Sequence, residues 1–226
     1  AGIYPVIVRV TDACGAVDLD TAIITIQQNH PPVASAGPDQ TLFRCNTNPI
    51  CWPASATDPD GNLDSIKVLA GPATYSAGTI CLTPPTSGMY TIILRAVDKC
   101  GIAAQDTVVI NVTLNSAPVC QVPPTTTFRQ CTPTQVSLPV SATDVNGNFS
   151  HCQIVSGPGS ISAGQWTYTP SVDEIRKIVV DCLDSCGASC RDSFTVIFQL
   201  NAPPVVNAGH DSTIFACGNQ TVCWSV

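Results

Sequence analysis

Thirteen cysteines stand among 226 residues, and three of them share one local setting. "TDACG" at 11–15, "VDKCG" at 97–101 and "LDSCG" at 183–187 are spaced 86 residues apart. Thiols could ligate metal, run dithiol redox chemistry or form structural disulfides. No CxxC pair is present and no His stands in register, so disulfides made outside the reducing cytosol are expected. Cys182, Cys186 and Cys190 are spaced by four, which on a helix would give a metal-binding face. Their surroundings read as a strand end and a hairpin, so disulfides are again the expectation. His30, His151 and His210 fall at three different places in the repeat, and spacing suggests no Cys, Ser or Asp partner for any of them. The chain is therefore expected not to be an enzyme. Asp58, Asp60, Asn62 and Asp64 place oxygens at alternate positions, and Asp98 comes from the same end of the unit. Calcium favours such oxygens. The distal Glu of a calcium loop is missing, and the next copy is weaker: Asp144, Asn146, Asn148, Ser150. The reading preferred is an Asp/Gly turn with Asp98 accepting backbone hydrogen bonds, with calcium as the alternative and no other cofactor. Asn111, Asn148 and Asn219 lie in Asn-x-Ser/Thr sequons, so they are candidates for N-glycosylation, and "PPTTTF" (123–128) is a candidate for O-linked sugar. Lys67, Lys99 and Lys177 fall out of register, against a repeated Lys–Asn isopeptide bond.

A constant interval of this length marks an internal repeat. Shifted by 86, Asn29 of "NHPPV" falls on Asn115 of "NSAPV" and Asn201 of "NAPPV". "SATDPDGN" from Ser55 falls on "SATDVNGN" from Ser141. The chain divides into part of a repeat (1–28), two whole ones (29–114 and 115–200) and the start of another (201–226). An 86-residue unit can hold one small core. Charged residues are 11%, Glu174 is the sole glutamate, and the net charge is −7. No basic patch exists to meet phosphates, which argues against nucleic acid. No apolar run approaches the roughly 20 residues of a membrane span.

Within 29–114, apolar and polar residues alternate in short runs parted by turn residues. "QTLFR" (40–44), "ICWPASA" (50–56), "SIKVLA" (65–70), "TICLT" (79–83), "YTIILRAVD" (90–98) and "TVVINVTL" (107–114) read as strands, and "DPDGN" (58–62) as a turn. Some seven short strands in fewer than 90 residues give an all-β fold, an antiparallel β-sandwich. Alternation places Ile50, Trp52, Ile66, Val68, Ile80, Leu82, Ile92, Leu94, Val108 and Ile110 inward.

These segments, with "VLAGPA", "SAGTI" and "GMYTIILRAVDKCGIAAQDTVVINV", resemble the PKD-like immunoglobulin-fold repeats of microbial surface proteins. The resemblance implies tandem sandwich modules used for spacing, adhesion or assembly. The cysteines depart from the family pattern, so the resemblance does not account for them.

Strand parity pairs them instead. Cys51 and Cys81 both face outward on neighbouring strands, and their counterparts Ser137 and Thr167 lose the thiols together, so Cys51–Cys81 is expected. Cys152 and Cys182 replace inward Ile66 and Ala96 on paired strands, giving Cys152–Cys182. Cys120 in the first strand and Cys190 in the last lie on strands expected to run side by side, giving Cys120–Cys190. Bonding within a repeat, as Cys45–Cys100 and Cys131–Cys186, would join turns at opposite ends of a sandwich. In a tandem rod the bottom of one repeat abuts the top of the next, so the expectation is an inter-repeat bond, Cys45–Cys186. Cys14, Cys100, Cys131, Cys217 and Cys223 then bond to residues outside this stretch. The intra-repeat pairing and a bond to a neighbouring chain stay open as alternatives.

The linkers "QQNHPPV", "TLNSAPV" and "QLNAPPV" leave almost no slack, and Pro stiffens them. The expected product is a structural segment of a secreted or cell-surface microbial filament, stalk or adhesin that self-assembles through neighbouring repeats. The alternatives are a module binding carbohydrate or a cell surface, and a non-catalytic rod attached to a secreted enzyme. The chain is expected to continue beyond both ends, with end-to-end completion between chains as the alternative.

Overall fold

The structure is a computed structural model that describes residues 1–211, 213–215, 217–219, 221 and 223. The described residues are all-β. In chain order the strands are β1 (Gly2–Thr11), β2 (Val17–Ile26), β3 (Val33–Ser35), β4 (Gln40–Arg44), β5 (Ile50–Pro53), β6 (Ser55–Thr57), β7 (Leu63–Ala70), β8 (Ala73–Ser76), β9 (Thr79–Leu82), β10 (Gly88–Asp98), β11 (Ala103–Leu114), β12 (Val119–Gln121), β13 (Thr126–Gln130), β14 (Val136–Pro139), β15 (Ser141–Thr143), β16 (Phe149–Ser156), β17 (Ser160–Ser162), β18 (Gln165–Tyr168), β19 (Glu174–Asp184) and β20 (Ser189–Leu200). They form two compact units, Ala1–Asn115 and Ser116–Val226. No helix among the described residues is long and apolar enough to cross a membrane.

The first whole repeat is an immunoglobulin-like sandwich. One sheet has the order β4-β11-β10-β7, and against it lie the sheets β5-β9-β8 and β3-β6. Period-2 alternation drives this packing: β10 and β11 each send every second residue into the core. Ile92, Leu94, Val108 and Ile110 of the large sheet meet Ile50, Trp52, Ile80 and Leu82 of the facing strands, all buried. Ile66 and Val68 are only partly buried, because β7 is the outer strand of its sheet. The second repeat reproduces the architecture as β13-β20-β19-β16 against β14-β18-β17 and β12-β15.

Four expectations need correction. The sandwich is not wholly antiparallel: β4 pairs parallel with β11 from Ile110↔Gln40 to Leu114↔Arg44, and β13 pairs parallel with β20. Nine strands make each repeat rather than seven: to the six runs named, β3 and β8 add two that have no alternating run long enough to signal them, and a split run adds the ninth. Residues 50–56 are two strands, because the Ala54 N–H leaves the ladder and donates to the Gly78 carbonyl at 2.9 Å. Finally, β12 does not pair with β20. It pairs with β15, and Cys120 reaches β20 across the sandwich.

The terminal stretches differ from the whole repeats. β1 and β2 form a two-stranded hairpin with apolar residues exposed on both faces. The strands expected in 201–226 run partly over Ser212, Ala216, Gln220, Val222, Trp224, Ser225 and Val226, which lie outside the described residues, and the described residues of this stretch contain no strand.

Candidate functional site

The Asp-x-Cys-Gly turn joins the last two strands of each unit, and its chemistry explains its residues. In "VDKCG" the Asp98 Oδ1 accepts the Ile102 N–H at 2.8 Å, and its backbone carbonyl accepts the Gly101 N–H at 3.1 Å. Asp12 and Asp184 repeat the pattern, accepting the N–H groups of Cys14 and Ala16, and of Cys186 and Ala188, at 2.8–2.9 Å. The carboxylate thus stands in for the missing ladder partners. Gly15, Gly101 and Gly187 have φ of 85°, 85° and 83°, a left-handed conformation that disfavours any Cβ. The Cys between them is left at the tip. Cys14 and Cys100 are exposed.

A second loop braces this turn. The Lys99 N–H donates to the Asn62 carbonyl at 3.0 Å, and the Ser185 N–H to the Asn148 carbonyl at 2.9 Å. The Asn62 amide lies 3.9 Å from Cys100 Sγ, and the Asn148 amide 3.6 Å from Cys186 Sγ. The linker is tied to the same end. The Asn29 amide donates to Asp98 Oδ2 at 2.6 Å, and Asn29 and Asn62 meet at 2.6 Å. Pro32 and Pro118 are buried. The Asn29 amide, with the N–H groups of Ile102, Cys100 and Gly101, holds the Asp98 carboxyl below the usual carboxylate range, against the opposing effect of its burial.

His30 does have an acidic partner, contrary to expectation. Its N–H and its Nδ1 both engage Asp60, the ring at 3.0 Å, and the backbone N–H is the main reason the Asp60 carboxyl sits below its ordinary range. In the second repeat the Ser116 N–H donates to Asn146 Oδ1 at 2.7 Å. The bond that recurs is from linker N–H to loop oxygen, so the contact anchors the linker.

Asp58, Asp60 and Asp98 are engaged by backbone N–H groups and by the Asn29 and His30 side chains. Asp58 Oδ1 accepts the Asp60 N–H at 2.8 Å, Asp60 holds His30, and Asp98 holds its own turn. Among the described residues, the metal-type side chains whose ligand atoms converge within 4.8 Å are Cys120, Cys182 and Cys190, not the aspartates. Of the sequons, Asn111 is exposed on β11, Asn148 is half-buried beside Cys186, and Asn219 is exposed.

Two disulfides follow from strand register and a third crosses the sandwich. Cys51 and Cys81 are direct partners on β5 and β9 and are bonded, with Cα atoms 4.2 Å apart. Cys152 and Cys182 are direct partners on β16 and β19 and are bonded. Cys120–Cys190 ties β12 to β20 with Cα atoms 5.7 Å apart. Cys190 also stands opposite Cys182, so the last two bonds lie side by side. The four cysteines occupy the places of Ala34, Ile66, Ala96 and Ala104 in the first repeat. Cys14, Cys100, Cys131, Cys217 and Cys223 are exposed thiols. Pairing Cys45 with Cys100 is ruled out. β4 runs parallel to β11, so Cys45 follows the end at Leu114 while Cys100 precedes the start at Ala103. The 12 residues of β11 separate them by roughly 40 Å, and a disulfide spans at most about 7 Å between Cα atoms.

No protein-family model matches the chain. It is 26% identical over 239 residues to the dyslexia-associated protein KIAA0319 homolog of Mus musculus, matching 92% of this chain and 21% of that protein. The chain therefore spans about a fifth of this relative. Among solved structures it is similar to mouse clustered PcdhgC3 EC1-3, with a TM-score of 0.53 at 16% identity, covering 88% of this chain and 77% of that one. It is also similar to the human Desmocollin-1 ectodomain, with a TM-score of 0.50 at 14% identity, covering 85% of this chain and 47% of that one. The fold is shared with immunoglobulin-like, cadherin-type sandwiches.

Proposed function

We propose that the chain is a structural segment of a secreted or cell-surface filament, stalk or adhesin of a microbe, built of disulfide-stapled 86-residue repeats. Its role is mechanical: to hold length and carry load, without catalysis. The observation that carries this reading is the placement of a cysteine at both ends of each repeat, Cys45 after β4 and Cys100 before β11 in the first, Cys131 after β13 and Cys186 before β20 in the second. A sandwich with a cysteine at each pole can be stapled pole to pole. The staple within this chain is Cys45–Cys186, and the same rule sends Cys14, Cys100, Cys131, Cys217 and Cys223 to cysteines of further repeats. The anchored linker supports it, since Asn29, His30 and Pro32 are fixed to the repeat that follows them. The desmocollin neighbour is an ectodomain, which fits the extracellular setting that disulfides require.

A non-reducing peptide map tests the reading. A Cys45–Cys186 linked peptide is expected. Cys45 recovered as a free thiol, or joined to another cysteine, overturns the staple. A Cys45→Ser chain should then lose cooperativity between the repeats in denaturant, with each sandwich still folded.

A further inference from the structure

The sulfurs of Cys120, Cys182 and Cys190 lie within 4.8 Å of one another, and Cys182 is bonded to Cys152. Cys182 is the centre of this group. It stands opposite Cys152 on β16 and opposite Cys190 on β20, so the register offers it two partners. It is 0% exposed. Cys152 is placed differently. It is half-buried on β16, the outer strand of its sheet, and it lines a cavity of about 240 Å³. His151 of β16, Ile161 of β17 and Val140 at the corner between β14 and β15 form other parts of the wall, and no residue of β19 lines it. Ser150 is the extra residue where the β16–β19 register shifts, and its Oγ lies 3.1 Å from His151 Nδ1, which steadies the ring. The first repeat has Ile66 in place of Cys152 and Tyr75 in place of Ile161, and Tyr75 packs against the core.

We propose that this cavity admits a small organic thiol, which forms a mixed disulfide with Cys152. A thiolate attacks a disulfide at the sulfur it can reach, and here that sulfur belongs to Cys152 rather than to buried Cys182. The His151 imidazole on the cavity wall takes the proton of the incoming thiol, as a general base does near neutral pH. The thiolate bonds to Cys152 Sγ, the Cys152–Cys182 bond breaks, and its electron pair leaves on Cys182. An isolated disulfide would simply re-form by return of the expelled sulfur. Cys182 has a second disulfide beside it. Its thiolate attacks Cys190, its direct partner on β20, and the Cys120–Cys190 bond breaks. The proton held by His151 ends on Cys120. One thiol is consumed and one appears, and two disulfides are exchanged for two others, so no oxidant or reductant is needed. β19 is then locked to β20 in place of β16, and β12, the strand after the linker, loses its tie to β20. Among the described residues the converging cysteine sulfurs are those of this cluster, so Cys51–Cys81 in the first repeat offers no such relay. The second repeat is thereby a covalent attachment point for thiols, a role beyond the mechanical one and independent of the pole-to-pole staple.

The test uses the whole oxidised chain. Exposed thiols are first blocked with iodoacetamide, the chain is incubated with cysteamine, and N-ethylmaleimide quenches the reaction before non-reducing peptide mapping. Cysteamine is expected on Cys152, together with a Cys182–Cys190 linked peptide and N-ethylmaleimide on Cys120. Cysteamine confined to Cys51 or Cys81, with both bonds of the second repeat intact, overturns the proposal. N-ethylmaleimide on Cys182 instead of Cys120 also overturns it. Two variants separate the site from general opening of the repeat. Ile161→Tyr installs the first repeat's residue and closes the cavity, and His151→Gln removes the base from an exposed position. Each should slow labelling of Cys152 at least about tenfold, with near-ultraviolet circular dichroism unchanged. An unchanged rate in either variant means that exchange runs through unfolding and overturns the site. The Cys45–Cys186 peptide is read before cysteamine is added, so a failed thiol site and a failed staple are told apart.

Discussion

The two whole repeats fill one backbone in different ways. In the first, Trp52 on β5 faces Ile80 on β9; in the second, Leu138 on β14 faces Trp166 on β18. The indole has crossed to the opposite strand of the same pair. Each indole has a backbone carbonyl for its N–H, Ala36 at 2.8 Å and Pro158 at 2.9 Å. The second repeat also exchanges Leu42, Val108 and Val112 for Phe128, Phe194 and Phe198: Phe194 meets Trp166 edge-on, Phe198 meets Tyr168, and Phe128 stacks on Phe198, with ring centres 5.4–5.8 Å apart. A core of this kind is specified by the volume of a facing pair rather than by the residue at one position. Disulfides diverge likewise. The first repeat locks its small sheet on the outer face, and the second locks its large sheet and ties it to β12.

The accommodating glycine makes the sharpest break. A Cβ on Gly159 (φ 100°) would lie 2.5 Å from Trp166 Nε1 and 2.6 Å from the Thr167 carbonyl oxygen, and the first repeat has Ala73 at that place. Trp166→Ala should cost about 3–5 kcal/mol, and Gly159→Ala about 2–4 kcal/mol, both confined to the second repeat in denaturant unfolding. Transplanting the arrangement sharpens the comparison further. Ile80→Trp alone should cost the first repeat about 3 kcal/mol. Adding Trp52→Leu and Ala73→Gly should return at least about 1 kcal/mol through coupling. Strictly additive effects would mean that the facing pair is not the unit of packing.

Next in size are the bonds. Removing Cys51–Cys81 or Cys152–Cys182 as Ser pairs should cost about 2–4 kcal/mol each, since both close stretches of 30 residues. Hydrogen exchange should report the loss only in the repeat that held the bond. The smallest effect concerns acid. Asp98 and Asp60 are held below the ordinary carboxylate range in the folded state. Their contribution is therefore complete above about pH 4 and fades as pH falls through their lowered values. The second repeat has Asn146 in place of Asp60. A pH titration of melting should show Asp60→Asn bringing the acid response of the first repeat closer to that of the second.

Alternation told which residues of the first repeat face inward because each strand's parity is local. Ile50, Trp52, Ile80, Leu82, Ile92, Leu94, Val108 and Ile110 are buried. Position along the sheet is not local, so Ile66 and Val68 gave no sign of lying on an outer strand. The parallel run of β4 beside β11 joins residues about 70 apart, which no periodicity reports. The His30–Asp60 contact spans 30 residues between a linker and a loop, and neither shows a pattern of its own. The paired appearance of Cys51 with Cys81, and their paired replacement by Ser137 and Thr167, carried long-range information because the repeat supplied an internal comparison.

That parallel run also governs how a repeat yields when pulled. Tension enters at Asn29 and leaves at Asn115, so it draws β4 toward its own start and β11 toward its own end. The strands point the same way, and their shared hydrogen bonds lie across the line of pull. They are loaded together in shear rather than unzipped from one end, and a repeat joined in that sense gives way all at once or not at all.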